Sequence, residues 1–266
     1  MDILQEIQKF EPLFIKAGEL ACKLKDSATS SQKFDTGFSE VDIVTSADLE
    51  VQEFILSKLA DSPLKYCELI AEEDTPTTAK FAKKSKYVLT LDPIDGTKLY
   101  ATGKKMFSVV VTIHDKKRPI YTFCYYPAVK WGIKIVKYKI AYIGKTPQLK
   151  LNADNPKNLI TYWDRPGKVG PEKTDPEVYK KLVKRGYRFV KSDDICVESG
   201  IKAPFLLALT GGTFVETDSA VDSLTEYHFA LANKFEIYGK LDLSKALKSP
   251  CGDFASYKGY YFAIIG

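Results

Sequence analysis

The stretch LTLDPIDGTK, residues 89–98, carries the strongest structural and chemical signal in the chain, because an apolar run ends there in two acidic residues. The residues before Asp92 predict a strand, and Pro93 is expected to stop it there, since proline cannot donate to a central ladder. Gly96 permits backbone dihedrals that other residues avoid. The carboxylates of Asp92 and Asp95 can therefore converge on one point of a turn.

A turn with two carboxylates offers the oxygen ligands that Mg²⁺ takes in proteins, usually together with waters and phosphate oxygens. The carbonyl of Ile94, between the two acids, is a further candidate ligand. If a helix begins at Gly96 or Thr97, its N–H groups and positive dipole end can hold a phosphate. The alternative is an ordinary turn, because Asp-Pro and Asp-Gly are common turn dipeptides.

Two further acidic segments precede this turn. The triplet EED, residues 72–74, directly follows a β-like run, and its last two acids are expected to lie on the surface. The segment DIVTSAD, residues 42–48, precedes a predicted helix. Thr45 and Asp48 have capping-box spacing at the start of that helix, where an acid also suits the helix dipole.

These three segments, in this order, resemble the inositol monophosphatase-like family of magnesium-dependent, lithium-sensitive phosphatases. That family carries D-x-V-T-x-x-D, then G-E-E, then D-P-[IL]-D-G-T. The chain has DIVTSAD, AEE and DPIDGT, with Ala71 in place of the usual glycine. The resemblance covers residues 42–110 and fades afterwards. It implies a phosphoric monoester hydrolase that uses Mg²⁺ to activate a water against a small phosphorylated substrate.

The resemblance also implies a role for each motif residue. The implied metal ligands in this half of the chain are Glu72, Asp92, Asp95 and the carbonyl of Ile94. The implied substrate-binding residues are Asp95, Gly96, Thr97 and Lys98. The implied catalytic residues are Glu72, Thr97 and Asp48. Glu72 would orient the attacking water, and Thr97 with Asp48 would activate or position it.

The family's second signature, W-D-x-A-[AG]-G at the start of a helix, is missing from the chain. Its aspartate completes the metal site, and two acids could replace it here. Asp222 lies immediately before a predicted helix, and Glu226 lies in its first turn. Spacing favours Glu226 and residue type favours Asp222. The alternative is that residues 223–226, Ser-Leu-Thr-Glu, form only a capping box.

Lys98 bears on the identity of the substrate. Inositol monophosphatases commonly carry Thr, Arg or Asn at this position, whereas the branch that hydrolyses 3′-phosphoadenosine 5′-phosphate usually carries Lys. The following residues 99–101, Leu-Tyr-Ala, lack that branch's typical Glu-Phe or Gly-Phe. Inositol monophosphate and a 3′(2′),5′-bisphosphate nucleotide both stay open. A third alternative, favoured by the missing signature, is a degenerate member that binds a phosphorylated ligand without turnover.

Composition excludes several other classes of protein. The chain has 266 residues, 45% of them hydrophobic, and a formal charge of +5 from 39 basic and 34 acidic residues, which does not fit a disordered chain. No apolar run approaches the about 20 residues of a membrane span. The lysine clusters are scattered, which favours solvated faces over nucleic-acid binding. Five scattered cysteines without a C-x-x-C pair argue against zinc and predict a reducing, cytoplasmic location.

Helices and strands mix without a regular βαβ rhythm, which favours layered α/β with mixed sheets. The resemblance implies an alternating α/β/α/β/α sandwich of the sugar phosphatase type, and often a homodimer. The polar segment 144–158 contains two prolines and predicts a domain boundary. We expect residues 1–145 to carry the metal and phosphate site, and residues 146–266 to complete the substrate pocket.

Periodicity predicts the individual elements. A helical pattern covers residues 3–24, with Pro12 as a kink or as the start of a second helix, and residues 26–40 are expected to form a loop. The predicted strands are residues 65–71, 87–91, 107–114, 120–126, 130–136, 159–163, 212–216 and 259–265. One further predicted helix begins after Thr45. The others cover residues 176–185, 200–209 and 223–235.

Overall fold

The chain folds as two units, Met1–Pro147 and Gln148–Gly266. The computed structural model describes residues 2–32, 43–145, 157–161, 171–191, 212–217, 220–239 and 260–265. The predicted helix at residues 200–209 lies outside these ranges. What each unit contributes to function stays a prediction.

The N-terminal unit contains a two-stranded ribbon and a six-stranded sheet. The strands are β1 (Ser30–Gln32), β2 (Ile43–Thr45), β3 (Glu68–Ala71), β4 (Val88–Asp95), β5 (Ser108–His114), β6 (Pro119–Tyr126), β7 (Trp131–Val136) and β8 (Lys139–Ile143). β1 pairs with β2, and β3 to β8 form the larger sheet in chain order. β3 and β4 are parallel, whereas the later pairs are antiparallel. The parallel pair places the carboxyl ends of β3 and β4 at one edge of the sheet.

Helices cover this sheet with their apolar sides. They are α1 (Ile3–Gln8), α2 (Glu11–Leu24), α3 (Ser46–Leu59) and α4 (Thr97–Ala101), with 3₁₀ turns at Pro63–Tyr66, Pro76–Lys80 and Pro127–Val129. Pro12 stands in the first turn of α2, so its interpretation as a helix start is confirmed. Phe14 of α2 contacts Phe123 of β6, with ring centroids 5.3 Å apart. Val51 and Ile55 of α3 are fully buried in the same core.

The C-terminal unit is built on a mixed five-stranded sheet. Its strands are β9 (Asn158–Thr161), β10 (Arg188–Lys191), β11 (Gly212–Thr217), β12 (Glu236–Gly239) and β13 (Tyr260–Ile265), and its helices are α5 (Pro171–Thr174), α6 (Pro176–Lys184) and α7 (Ala220–Asn233). The strand order is β10-β9-β11-β13-β12. The first three strands are parallel, and β13 runs antiparallel to β11 and β12. The predicted α/β class with mixed sheets is confirmed.

The prediction that the strand stops at Asp92 is wrong, because β4 continues through Pro93 to Asp95. The pairing of β4 with β5 shifts in register between Asp92 and Asp95. An irregularity of this kind needs no ladder donor from proline, so Pro93 is tolerated there. The irregularity lies within the acidic motif and sets the backbone path between its two carboxylates.

Three other element predictions need correction. A strand, β1, forms inside the predicted loop of residues 26–40, because it pairs with β2. The predicted strand at residues 65–71 is too long at its start, because β3 begins only at Glu68 and a 3₁₀ turn ends at Tyr66. Ser62 caps that turn by accepting a hydrogen bond from the Leu64 N–H at 3.1 Å. The sequence pattern predicts no strand at β8, β10 or β12.

Among the helices of the described ranges, none has the length and apolar composition needed to cross a bilayer.

His114, at the end of β5, makes the stability of the fold depend on pH. Its side chain is fully buried, and Nδ1 accepts a hydrogen bond from the Lys116 N–H at 3.2 Å. Burial lowers the pKa of His114 to about 4, although Asp115 and Glu68 oppose this shift. Protonation therefore favours the unfolded chain, so this stability is present above pH 6.5 and is lost as pH falls toward 4.

We expect the wild-type free energy of unfolding to drop by about 2 kcal/mol between pH 7 and pH 5 because of His114. In His114→Asn, an amide oxygen can accept the Lys116 N–H without titrating. Urea unfolding of both proteins at the two pH values measures the difference. An equally steep loss of stability in the variant would contradict the assignment to His114.

Candidate functional site

The acidic turn after β4 is held by its own backbone. Gly96 has φ 86° and ψ 41°, a left-handed conformation that glycine adopts without strain, and it caps α4. The Tyr100 N–H donates to the Gly96 carbonyl at 3.0 Å. Within the turn, Oδ1 of Asp92 accepts a hydrogen bond from the Ile94 N–H at 3.0 Å, and Asp92 is buried. A helix therefore begins at Thr97, as the phosphate-binding interpretation requires.

Asp95 is fixed by the neighbouring strand. It pairs with Ser108, the first residue of β5. The Ser108 hydroxyl donates to Oδ2 of Asp95 at 2.9 Å. The carboxylate is partly exposed, so it is anchored on one side while remaining accessible.

Glu72 follows the end of β3 and lies beside β4. Ala71 is the register partner of Leu91, and the Glu72 N–H donates to the Leu91 carbonyl at 3.0 Å. The parallel register therefore brings Glu72 and Asp92 to neighbouring positions at the carboxyl edge of the two strands. The two motifs are separated in sequence and adjacent in the sheet.

Asp48 and Thr97 come together from different parts of the chain. Thr97 Oγ1 lies 3.3 Å from Oδ1 of Asp48 and 3.1 Å from the Ile94 carbonyl, and it can donate its proton to either. The predicted capping box at the start of α3 is confirmed, with the Thr45 N–H donating to Oδ2 of Asp48 at 2.8 Å. Asp48 thus bonds back to Thr45, the capping residue of its helix, and accepts from Thr97 at the same time.

The environment of Asp48 makes its carboxylate a stronger base than an exposed one. Its side chain is fully buried. Burial is the largest cause that raises the pKa of Asp48 to about 6, and the nearby Glu73 charge adds to the rise. Hydrogen bonds from Thr45 and Thr97 oppose the shift. Above pH 6 the carboxylate is the major form, able to accept the Thr97 proton.

Glu73 is buried, with 7% of its surface exposed, so the expectation that it lies on the surface is wrong. Asp74 is exposed, so the same expectation is confirmed for it. The cause of the burial of Glu73 is Gln52 on α3, which lies one turn after Asp48. Its side chain donates to the Glu73 carbonyl and accepts from the Glu73 N–H. Sequence reasoning missed Gln52. Its position four residues after Asp48, on the same helix face, is the signal that could have found it.

The candidate metal ligands fit Mg²⁺ by their chemistry. Carboxylate oxygens and a backbone carbonyl are what this ion prefers, and the turn supplies Asp92, Asp95 and the Ile94 carbonyl, with Glu72 at the next strand end. Within the described part of the chain, no three His, Cys, Asp or Glu side chains are already arranged around one point for a metal. The ligand set therefore stays a prediction, supported by donor chemistry and strand register.

The candidate ligands of the C-terminal unit lie on α7. This helix begins at Ala220, so Asp222 is inside its first turn and the predicted helix start at Ser223 is wrong. Ser223 therefore lies within this helix and not at the N-cap position that the capping-box interpretation requires. Glu226 is buried, with 5% exposed. Metal binding by Asp222 or Glu226 stays a prediction, as does the alternative that neither binds metal.

Lys98 is the second residue of α4 and is partly exposed, and its contact with substrate stays a prediction. Asp42, the first residue of DIVTSAD, lies outside the described ranges.

Comparison with known proteins gives one curated relative and several solved structures. The relative is the 3′(2′),5′-bisphosphate nucleotidase CysQ of Haemophilus influenzae, 25% identical over 166 residues, which are 60% of this chain and 59% of CysQ. The chain thus matches less than two thirds of that protein's length. A staphylococcal IMPase-I complexed with products matches with a TM-score of 0.66 at 16% identity, over 100% of this chain and 92% of that one.

Two more structures share the fold. An IMPase/NADP phosphatase complexed with Mg²⁺ and phosphate has a TM-score of 0.65 at 16% identity, covering 98% of this chain and 91% of that one. The extragenic suppressor protein SuhB of Bartonella henselae has a TM-score of 0.61 at 15% identity, covering 94% and 89%. The model of the inositol monophosphatase family matches residues 4–188, more than half of the chain. With Glu72 beside Asp92 at the ends of two paired strands and Asp48 against Thr97, the chain belongs to the inositol monophosphatase family.

Proposed function

We propose that the protein is a Mg²⁺-dependent phosphomonoesterase that hydrolyses a small phosphorylated substrate. The observation that carries this proposal is the contact between Thr97 and Asp48, 3.3 Å apart and 49 positions apart in the chain. It lies directly beside the Ile94 carbonyl of the acidic turn. A base and a hydroxyl are therefore paired next to the candidate metal ligands.

The chain's own groups can prepare a water for attack. While the Thr97 hydroxyl donates a hydrogen bond to Asp48, its oxygen keeps lone pairs that can accept a hydrogen bond from a water. As the water attacks, its proton would pass to the Thr97 oxygen while the Thr97 proton passes to Asp48, whose pKa burial raises to about 6. Glu72 would orient the same water from the end of β3. Mg²⁺, held by Glu72, Asp92, Asp95 and the Ile94 carbonyl, would lower the pKa of the water and neutralise phosphoryl charge.

The substrate phosphate would be held at the start of α4. The first N–H groups of a helix have no partner within the helix and can donate to an anion. Gly96 and Thr97 supply these groups, and the left-handed Gly96 lets the backbone turn sharply after Asp95. The phosphate would then lie between the carboxylate edge and α4.

Inositol monophosphate or a similar compound is the first substrate candidate, and a 3′(2′),5′-bisphosphate nucleotide is the second. The second is supported by Lys98 and by the similarity to a nucleotidase. One structure of similar fold is described as bound to D-inositol 1-phosphate, which supports the first. A family member that binds without turnover is the remaining alternative, because the W-D signature is missing.

A substrate panel tests the proposal. We expect Mg²⁺-dependent phosphate release from inositol 1-phosphate or from 3′-phosphoadenosine 5′-phosphate, and inhibition of that release by Li⁺. Fructose 1,6-bisphosphate serves as a third substrate, and each reaction is repeated with EDTA. No release from any of the three would favour the binding-only alternative.

We also propose a cytoplasmic location and a homodimer, with the phosphorylated substrate as the principal ligand and no nucleic-acid or membrane partner. The scattered single cysteines support the location. Light scattering of the purified protein measures the oligomeric state.

A further inference from the structure

Gln52 is a fully buried amide on α3 that makes three hydrogen bonds to the segment after β3. Its Nε2 donates to the Glu73 carbonyl at 2.6 Å, and its Oε1 accepts from the Glu73 N–H at 3.0 Å. Nε2 also lies 3.3 Å from the Thr75 hydroxyl oxygen. One side chain therefore satisfies both backbone groups of Glu73.

This pairing requires an amide. The backbone of Glu73 presents one donor and one acceptor, and among side chains of this length only glutamine offers both a carbonyl and an N–H at its end. A glutamate at position 52 could accept the Glu73 N–H, but when ionised it would repel the Glu73 carbonyl. A methionine of similar length would leave both backbone groups without this partner.

The hydrogen bonds of Gln52 hold the residue directly after Glu72. The Glu72 N–H is bonded to Leu91 of β4, and the next residue is bonded to Gln52 of α3. Glu72 is thus held from both sides by two different elements. Gln52 lies one helical turn from Asp48, so the same helix that carries the base also sets the backbone direction at Glu72.

We propose that Gln52 is a positioning residue, which orients the Glu72 carboxylate toward the proposed metal site by holding the backbone of Glu73. The inference rests on the proposed function, since it assigns Glu72 to metal and water. A purely structural role for Gln52 would stabilise the segment without changing metal affinity. The two roles are separated by measuring metal binding and local backbone protection in the same variants.

The test compares Gln52→Met and Gln52→Glu with the control Thr77→Val. The Thr77 hydroxyl bonds Glu53 of α3, so it ties the same segment to the same helix four residues beyond Glu73. In metal-free protein, amide hydrogen exchange by NMR follows the Glu73 N–H. Mn²⁺ binding is followed by electron paramagnetic resonance, and the Mg²⁺ dependence, kcat and KM by phosphate release.

We expect the Glu73 amide of Gln52→Met to exchange about tenfold faster. The Mn²⁺ dissociation constant and the half-saturating Mg²⁺ concentration should rise about 10-fold or more, the usual effect of losing a group that orients a ligand. KM for substrate at saturating Mg²⁺ should stay within twofold of wild type. Gln52→Glu should show a smaller loss, because it keeps one hydrogen bond, and Thr77→Val should keep wild-type metal affinity.

Wild-type Mn²⁺ affinity in a folded Gln52→Met would overturn the proposal, as would an equal loss of affinity in Thr77→Val. If Gln52→Met does not fold, the same criterion applies to Gln52→Glu, which has nearly the volume of wild type. A wild-type protein that binds no Mn²⁺ and releases no phosphate would instead overturn the proposed function, and this inference with it.

Discussion

Asp95→Asn is expected to lower kcat for phosphate release by about a thousandfold, while the fold stays intact. Asparagine keeps the shape of the side chain and an oxygen that can accept from Ser108, so the link to β5 survives. What is lost is one negative charge at a residue that we propose as a Mg²⁺ ligand. Several kcal/mol of transition-state stabilisation depend on such a metal, and about 4 kcal/mol corresponds to that loss in rate.

Two control variants separate the charge of Asp95 from its hydrogen bond. Ser108→Ala removes the hydrogen bond and keeps the carboxylate, so it should cost much less activity. Asp115→Asn changes an acid in the turn between β5 and β6, where it accepts the Lys117 and Arg118 N–H groups, and should leave kcat unchanged. Near wild-type turnover in Asp95→Asn, with an unchanged circular dichroism spectrum, would refute the proposed site.

Asp48→Asn is expected to lower kcat by about a hundredfold or more, the range of a lost general base. Asparagine still bonds back to Thr45, the capping residue of α3, because its oxygen can accept the Thr45 N–H. It cannot take up the Thr97 proton, so Thr97 can no longer prepare the water. KM for substrate should change little, because Asp48 is not placed at the phosphate.

The partner variant Thr97→Val should match Asp48→Asn if the two residues act as a unit. The double variant should then be no slower than either single one, since groups that act together are not additive. Thr97→Ser keeps the hydroxyl and should retain most of the activity. Losses that multiply in the double variant would show that Asp48 and Thr97 act independently.

The local motifs around the acidic turn could be predicted from sequence because their chemistry depends on short spacings. The capping box of Thr45 and Asp48 spans four residues, and the helix start at Thr97 follows from Gly96. The strand through Pro93 could not be predicted, because it depends on how β5 pairs with β4 and where that register shifts. Local rules for proline treat a strand as regular and do not anticipate the irregularity.

Long-range contacts explain the other differences between prediction and structure. The charged triplet predicts a surface position for Glu73, which is buried because Gln52, 21 positions earlier, bonds its backbone. The capping-box pattern of residues 223–226 predicts a helix start three residues after the observed start of α7 at Ala220. The short strand β8 gives little periodic signal on its own and exists because β7 pairs with it.

We propose that the acidic ends of β3 and β4 hold the catalytic metal. A crystal structure of the protein with Mn²⁺ and phosphate, with anomalous scattering recorded at the manganese edge, tests this proposal most directly. We expect at least one anomalous peak bound by the carboxylates of Asp92 and Asp95 and the carbonyl of Ile94, with Glu72 as a further ligand. Manganese bound only elsewhere, at a concentration that supports full activity, would contradict it.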